Sequence, residues 1–337
     1  MSSTAVAQNI INIAREYTVS VYFIILICGL TGNICNIIVF SGLKIFRHNQ
    51  WTFYLTVASI TDLCLVIIIL PFRIADYGYG HDLTKLSLAW CKIRQALVSS
   101  LSLMSLSSIC FAAIDQYLST HYSPWLRQLS TLKLAHRLVY STIVILALLS
   151  IPFLIFFEIQ SSAGCTVYNS GFSIYYSFVY FCILSGVLPI TVSGLSALFA
   201  YVNVRRIVRQ QVAIVRRRLD RQLTAMVLTK VIFLVITISP FITFRIYLLN
   251  RSIDPNDSIR LAVEQLLSTI FSSIFYVNFS GTFYLFLSIS KRFRQQVKHA
   301  LIKNIGRKLC RSIICKKLFP NQNQIAPTNT ATDMELT

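Results

Sequence analysis

Long apolar stretches alternate with short polar segments along the whole chain. Seven of these stretches are long enough to cross a membrane as helices, because a bilayer core is about 30 Å thick and a helix rises about 1.5 Å per residue. They cover approximately residues 17–41, 51–74, 93–118, 134–157, 172–202, 223–249 and 263–288. The pattern predicts an all-α membrane protein built as a seven-transmembrane helix bundle, with residues 17–288 as its helical domain.

The segments that flank the seven stretches predict three further regions. Residues 1–16 are expected to form an N-terminal tail. In residues 289–305, apolar positions fall four apart among basic ones, which predicts a short amphipathic helix on the inner leaflet. These apolar positions are Phe293, Val297, Leu301 and Ile305. Residues 306–337 are expected to be a largely disordered cytoplasmic tail, because their end is rich in Asn, Gln and Thr.

Composition and charge give the chain an orientation. Of its 337 residues, 55% are hydrophobic and only 13% are charged, against about 25% charged in soluble domains. The net charge is +19, and the basic residues sit in clusters between apolar stretches. With the C-terminus inside, inner segments carry 22 Lys and Arg residues and outer segments 6. The positive-inside rule then predicts a multi-pass plasma-membrane protein with an extracellular N-terminus and a cytoplasmic C-terminus, in contact with lipids rather than nucleic acid.

One acidic residue, Asp62, lies inside the second apolar stretch. An ionised Asp at membrane depth costs about 2.5–3.5 kcal/mol on insertion scales, so a chain that retains one generally uses it. Asn33 in the first stretch and Ser105 in the third are candidate partners across the bundle. The alternative is a protonated Asp62 that these neighbours satisfy without any further role.

Two of the nine cysteines are expected to form a disulfide. Cys91 precedes the third stretch and Cys165 lies in the loop after the fourth, both on the predicted extracellular side. The cysteines show no CxxC or Cys/His pattern at metal spacing, so no metal site is predicted. The chain also lacks a Walker loop, an HExxH motif and a nucleophile elbow, and it is not expected to be an enzyme.

Taken in order, these features resemble the rhodopsin-like (class A) family of G-protein-coupled receptors, over roughly residues 17–305. The resemblance is carried by Gly32-Asn33, Ala58 with Asp62, the Cys91 and Cys165 pair, Asp115-Gln116-Tyr117 in place of Asp-Arg-Tyr, Pro189, Pro240 and Phe293-Arg294. Each of these sequence features is common on its own, but their order within seven spans is specific to the family.

Within this family, the chain is most similar to invertebrate peptide-type receptors. Asn278 followed by Thr282-Phe283-Tyr284-Leu285-Phe286 resembles an Asn-Phe-x-x-Tyr form of the seventh-helix motif. This register also places Phe286 seven residues before Phe293, as the family does. A second register takes Ser280-Gly281-Thr282-Phe283-Tyr284 as the motif, and both remain open at this point.

The resemblance implies a receptor that passes the binding of an extracellular peptide to a heterotrimeric G protein by opening the inner helix ends. It implies three groups of site residues. A sodium ion in the inactive state, with no other cofactor, would be held by Asp62, Asn33, Ser105 and Asn278. The G-protein interface and switch would comprise Asp115, Gln116, Tyr117, Arg206 and Asp220, with Asp220 bonded to Gln116. The ligand pocket would comprise Arg73, Arg94, Val98, Glu158, Phe241, Arg245 and Glu264.

The residue types in this pocket narrow the class of ligand. Val98 stands where amine receptors carry an aspartate, which argues against a biogenic amine. The seventh span contains no lysine for a retinal Schiff base. Charges of both signs at a wide mouth favour a peptide, such as a neuropeptide, over a lipid. The competing interpretation is that these charged residues are solvated at the rim of the bundle.

Departures from the family pattern leave two alternatives. Gln116 replaces the arginine at the inner end of the third helix, and Thr237-Ile238-Ser239-Pro240 replaces Cys-Trp-x-Pro in the sixth. A receptor-like protein with impaired or ligand-independent coupling is therefore the first alternative. An ion-coupled transporter that uses Asp62 is the second, although no internal repeat supports it.

Overall fold

A computed structural model describes residues 3–42, 49–80, 87–160, 164–207, 214–250 and 257–300. Its long helices are α1 (Ser3–Gly42), α2 (Gln50–Arg73, continued by a π-helical turn Ile74–Gly78), α3 (Leu88–Thr120), α4 (Leu132–Phe156), α5 (Ser170–Ile174, π-helical Tyr175–Val187 and Leu188–Ile207), α6 (Ile214–Asn250), α7 (Ser258–Ser280 with Thr282–Ile289) and α8 (residues 291–300). A short helix, Pro124–Leu129, lies between α3 and α4.

The predicted membrane bundle is confirmed. In the described part of the chain, six helices are long and apolar enough to span a membrane, and α7 makes a seventh if its two segments, bent by 62°, count as one span. The chain is therefore a multi-pass membrane protein.

Helix α1 begins earlier than predicted. Residues 3–16 are helical rather than a separate tail, because this extension packs on its neighbours. Ala14 is buried, and Arg15 donates from Nε to the Gly78 carbonyl at the end of α2. Farther along, the Tyr17 hydroxyl lies 2.8 Å from Ser273 Oγ of α7. These contacts continue the α1–α7 packing of the bundle toward the start of the chain.

A β-hairpin covers one end of the bundle. Strands β1 (Phe157–Gln160) and β2 (Gly164–Val167) pair antiparallel. Cys165 in β2 forms a disulfide with Cys91 at the start of α3, and their Cα atoms are 5.8 Å apart. The predicted cysteine pair is thus confirmed, and it ties the hairpin to α3.

Aromatic rings pack α4 against α5 under this hairpin. Phe153 of α4 lies 5.5 Å from Phe172, 5.7 Å from Tyr176 and 5.3 Å from Tyr180 between ring centroids. Here α5 is π-helical up to Val187, and the Leu188 N–H donates to the Ile183 carbonyl five residues back. The π-helix positions Tyr176 and Tyr180 toward the interior, where both hydroxyls meet polar groups from other helices.

The short helix α8 packs into the bundle rather than only lying on it. Phe293 is fully buried, with its ring 5.9 Å from Phe40, 6.1 Å from Phe283 and 5.8 Å from Phe286. Val297 is buried as well, while Leu301 and Ile305 lie outside the described residues. The apolar face predicted for the inner leaflet therefore contacts α1 and α7 at its start. The Phe286–Phe293 contact is the one that the first register of the seventh-helix motif implies.

Candidate functional site

Polar residues inside the bundle fall into three layers, near the hairpin, in the middle and at the opposite end. The layer near the hairpin contains arginines from three helices. Arg73, Arg94 and Arg245 are all partly buried, and all three interact electrostatically with the Tyr176 hydroxyl of α5. Because α2, α3 and α6 each supply one, the cations converge on a single region, which we call the arginine chamber.

Aromatic rings surround the cations of the arginine chamber. Arg73 lies over the Tyr77 ring, 5.1 Å from its centroid, and bonds Tyr276. Arg245 lies 5.5 Å from the Phe181 centroid and 5.7 Å from that of Phe241. Among the residues that the structure describes, Arg73 and Arg245 have no carboxylate within ion-pair distance. The guanidinium groups of Arg73 and Arg245 are therefore held by aromatic rings and, for Arg73, a hydroxyl, rather than by carboxylates.

The two predicted acidic residues of the ligand pocket are placed differently. Glu264 is buried and already paired, since its Oε1 lies 3.2 Å from Arg260 Nε and accepts from the Tyr247 hydroxyl at 3.0 Å. The bond from Tyr247 ties the end of α6 to the start of α7, and Arg260 lies one turn before Glu264 in α7. Glu158 is exposed on β1 and lines a groove of about 720 Å³ with Tyr168 and Asn169. The mixed charge expected from sequence is thus a cationic interior with its acids paired or exposed.

The remaining predicted pocket residues are apolar. Val98 is partly buried against the core, and Phe241 stacks on Phe275 with 4.2 Å between ring centroids. Phe279 follows at 4.9 Å from Phe275. Ile238, which replaces the family's tryptophan, is fully buried in the same core. Phe275 and Phe279 of α7 supply aromatic side chains to the core in which Ile238 replaces the family's tryptophan. Their spacing along α7 is that of ordinary core residues, so no sign of this role was visible in the sequence.

The middle layer pairs Asp62 with a cation that the sequence analysis missed. Asp62 on α2 is 2% exposed and Lys230 on α6 is 3% exposed, and the two interact electrostatically. Ser105 of α3 is fully buried and faces the Asp62 carboxylate. Lys230 stands alone in an apolar run, so the rule that singled out Asp62 would have found it.

All three donors of the Lys230 ammonium are used. Its Nζ donates to the Asn278 carbonyl at 2.9 Å, to Asn278 Oδ1 at 3.1 Å and to Thr282 Oγ1 at 3.0 Å. A lysine ammonium has three N–H bonds and no acceptor, so this geometry satisfies it completely. Lys230 thereby joins α6 to both segments of α7.

The break in α7 explains why these acceptors exist. The last four carbonyls of a helix have no partner within it, and the first segment of α7 ends at Ser280. Lys230 binds the Asn278 carbonyl, and Asn33 Nδ2 of α1 binds the Phe279 carbonyl at 3.0 Å. Asn33 also donates to the Gly29 carbonyl at 3.0 Å. Its amide group therefore caps the broken helix, whereas the sequence suggested a partner of Asp62.

Glycine permits this break. A Cβ on Gly281 would lie 2.9 Å from Phe233 Cζ of α6 and 2.9 Å from the Val277 carbonyl oxygen. A Cβ on Gly32 would lie 3.3 Å from the Ser280 carbonyl. Close approach of α1 and α6 to α7 thus depends on residues without side chains at these positions.

The third layer lies at the end of α3 away from the disulfide. Asp115 accepts from Ser130 Oγ at 2.6 Å, and Gln116 Nε2 donates to Thr224 Oγ1 of α6 at 2.9 Å. Asp115 and Gln116 are both buried, and Tyr117 packs against Phe199 at 5.9 Å. Gln116 therefore joins α3 to α6 through a neutral hydrogen bond.

Two further residues were predicted for this layer. Arg206 is exposed near the end of α5. Asp220 lies in α6 one turn before Thr224, and its side chain is outside the described residues. Its predicted bond to Gln116 stays a prediction. Ser130 and Thr224 were missed because hydroxyl residues at helix ends and in loops are common and give no distinctive pattern.

A helical membrane bundle with a disulfide-tied hairpin and a polar interior is the architecture of a seven-helix receptor, and comparison with known proteins gives the same class. The model of the 7 transmembrane receptor (rhodopsin family) matches residues 32–290. The chain therefore belongs to the rhodopsin family of seven-transmembrane receptors.

Curated relatives resemble part of the chain. The neuromedin U receptor homolog nmur-2 of Caenorhabditis elegans is 32% identical over 105 residues, which is 30% of this chain and 25% of that protein. Probable G-protein coupled receptor 34 of Pan troglodytes is 33% identical over 112 residues, which is 33% of this chain and 29% of that protein. The matched region thus spans less than a third of these relatives' length.

Proposed function

We propose that the chain is a plasma-membrane receptor that binds an extracellular peptide and passes the signal to a heterotrimeric G protein. Family membership supports a signalling receptor rather than an enzyme or an ion-coupled transporter. The C. elegans relative is named as a neuromedin U receptor homolog, which supports a peptide as the ligand. The excess of basic residues in alternate loops supports an extracellular N-terminus and a cytoplasmic C-terminus.

The arginine chamber is the observation that carries this proposal. Arg73 and Arg245 are partly buried, yet in the described part of the chain neither has an acidic partner. A charge removed from water without a counter-ion is costly. A ligand with an anionic group supplies that counter-ion, and a peptide does so through its C-terminal carboxylate or an acidic side chain. The surrounding tyrosine and phenylalanine rings suit aromatic and apolar peptide side chains.

Transmission requires α6 to move at its inner end. Lys230 and Thr224 hold this half of α6 against α7 and α3. A ligand shifts the equilibrium only by its different affinity for the closed and open states. Arg245 lies on the outer half of α6, so a ligand that contacts it would act on the same helix whose inner end must move. Opening would expose the end of α3 to the G protein, next to Arg206, which is already exposed.

The test is a screen of neuropeptides on cells that express the full chain with a promiscuous G protein. An active peptide is then compared as the free acid and as forms neutralised at the C-terminus or at each acidic side chain. We expect one of these changes to remove most of the potency, and Arg245→Gln to reduce the response to the charged form. A potency that no neutralisation alters would contradict the anionic contact, and surface labelling of an N-terminal tag checks the orientation.

The Gln116 bond supports a second candidate function, a receptor-like protein with impaired or ligand-independent coupling. A neutral amide–hydroxyl bond is weaker than a charge-assisted one, so this contact holds α3 to α6 less firmly than an arginine–carboxylate bond would. Nucleotide exchange on a G protein, measured with the parent and with Gln116→Arg, separates the two functions. Ligand-dependent exchange in the parent favours the first, and exchange seen only with the variant favours the second.

A further inference from the structure

We propose that Lys230 is a built-in cation of the middle layer, and that it replaces the sodium ion expected there, so that the protein is insensitive to sodium. The sequence implied an ion pocket of Asp62, Asn33, Ser105 and Asn278. The structure adds a fifth helix to that pocket, and α6 contributes the Lys230 side chain. This inference concerns the ion alone and does not depend on the ligand or on coupling.

Asp62 Oδ1 and Ser105 Oγ have no hydrogen-bond partner among the described residues, but the α7 oxygens of this layer do not fit a sodium ion. Hard cations take oxygen ligands, and carbonyls freed at broken membrane helices are a known source of them. Here Asn278 Oδ1, the Asn278 carbonyl and Thr282 Oγ1 already accept hydrogen bonds from Lys230 Nζ. The carbonyl of Phe279 accepts from Asn33. The α7 oxygens that would bind sodium are thus directed at nitrogen donors.

Charge leads to the same result. Asp62 is the carboxylate of this layer, and Lys230 is its electrostatic partner. One carboxylate and one ammonium leave the layer neutral, whereas an added sodium ion would give a buried net positive charge. A sodium ion beside Lys230 would be repelled strongly, because the protein interior screens charge poorly. The lysine therefore serves as counter-ion and excludes a competitor.

The arrangement of its three partners suits Lys230 as an ammonium. Two of its three partners, the Asn278 carbonyl and amide oxygens, can only accept, and the third is a hydroxyl that is placed to accept. An ammonium has one N–H donor for each of these three partners, whereas an amine would have to accept from the Thr282 hydroxyl. The cation is also covalently part of α6, so it cannot exchange with the medium and moves only when the helix moves.

The experiment measures thermal unfolding of the purified full-length chain in sodium chloride and in choline chloride of equal ionic strength. The parent should unfold at the same Tm in both salts. Lys230→Met removes the ammonium and leaves Asp62 available, so its Tm should be higher in sodium chloride by about 2–4 °C. Adding Asp62→Asn to this variant should abolish the difference. Lys298→Met, on the exposed face of α8, is the matched control and should behave as the parent does.

If Lys230→Met fails to fold, Lys230→Gln is the second variant to test. A variant that folds only in sodium chloride also supports the proposal. Two results would overturn it. One is a Tm of the parent that rises in sodium chloride and loses that rise with Asp62→Asn. The other is a folded Lys230 variant whose Tm is the same in both salts.

Discussion

Helix α6 carries two interior cations with opposite surroundings. Lys230, in the middle layer, has all three donors bonded to α7 oxygens and a carboxylate as its electrostatic partner. Arg245, 15 residues or about 22 Å farther along the helix, lies among aromatic rings. In the part of the chain that the structure describes, it has no acidic partner. The same kind of charge is thus fully hydrogen-bonded beside a carboxylate at one depth and surrounded by aromatic rings at the other.

We infer from this difference that Lys230 stabilises the fold and that Arg245 binds the ligand. Lys230 interacts electrostatically with Asp62, although the two are not within ion-pair distance, and its removal would leave both Asp62 and the α7 oxygens uncompensated, so we expect Lys230 to stabilise the fold. A partly buried cation without a counter-ion contributes little to stability, so Arg245 is retained for another reason, which we take to be ligand binding. Stability measurements on variants of both residues, and of the contacts around them, test whether the distinction holds.

The largest expected effect is that of Lys230→Met. It leaves the Asp62 carboxylate buried without its cation and the α7 oxygens without their donor. Loss of one partner from a buried pair costs about 3–5 kcal/mol, and we expect that loss in the free energy of unfolding in sodium-free buffer. Thermal unfolding of the purified protein in detergent measures it.

The double variant with Asp62→Asn supplies the control. Because the buried carboxylate is gone as well, much of the stability should return, and the two changes should be strongly non-additive. A Lys230→Met protein as stable as the parent would show that Lys230 is as dispensable as Arg245, and the comparison would fail.

The next effect concerns the break in α7 that supplies acceptors to Lys230. Gly281→Ala places a Cβ 2.9 Å from Phe233 and from the Val277 carbonyl, and overpacking of this kind costs about 1–3 kcal/mol. Gly194→Ala in α5 meets no atom within 4 Å, and should instead be neutral or gain up to about 1 kcal/mol. Equal Tm values for the two variants would mean that the α7 break does not depend on Gly281.

These contacts also show what could be predicted from sequence. The seven spans depend on local hydropathy, and the cysteine pair depends on which side of the membrane a loop lies. Both could therefore be predicted from the sequence. Lys230 could have been noted as an ionised residue in an apolar run. Its partners could not, because the Asn278 carbonyl is available only where α7 breaks, and Gly281 breaks it without any proline.

The hydrogen-bond partners of acidic and amide residues could not be read from the sequence, and the roles of Glu264 at the ligand and of Asn33 beside Asp62 stay predictions. Glu264 was assigned to the ligand and Asn33 to Asp62 from their depth in the membrane. The structure pairs Glu264 with Arg260 and directs Asn33 to the Phe279 carbonyl. Depth follows from counting residues along a span, but rotation of one helix against another is set by packing, which a single sequence does not reveal.

A smaller effect is expected at the α3–α6 contact on the inner half. Thr224→Val removes the acceptor of Gln116 at nearly constant volume, and a lost hydrogen bond of this type costs about 1 kcal/mol. If the bond is present only in the closed state, basal G-protein activation should rise about fivefold. Thr229→Val, whose hydroxyl bonds within α6 to the Ala225 carbonyl, is the control and should leave basal activity unchanged. Unchanged activity in both would show that this bond does not hold the closed state.

The smallest effect on stability is expected for Arg245→Gln. An uncompensated, partly buried cation adds little to folding, so the free energy of unfolding should stay within about 0.5 kcal/mol of the parent value. Potency of the peptide found by screening should nevertheless fall at least about tenfold, because a hydrogen bond to a charged group contributes about 1.5–3 kcal/mol.

A matched change on the outer rim distinguishes a specific contact from general attraction. Lys92 donates to the Ile155 carbonyl at 3.2 Å beside the disulfide, and Lys92→Gln removes the same charge outside the arginine chamber. If attraction to the positive surface were the cause, both variants would lose potency equally, and high salt would weaken the parent in the same way. A loss confined to Arg245→Gln, without a loss of Tm, would show that α6 uses one cation to hold the bundle together and the other to sense its ligand.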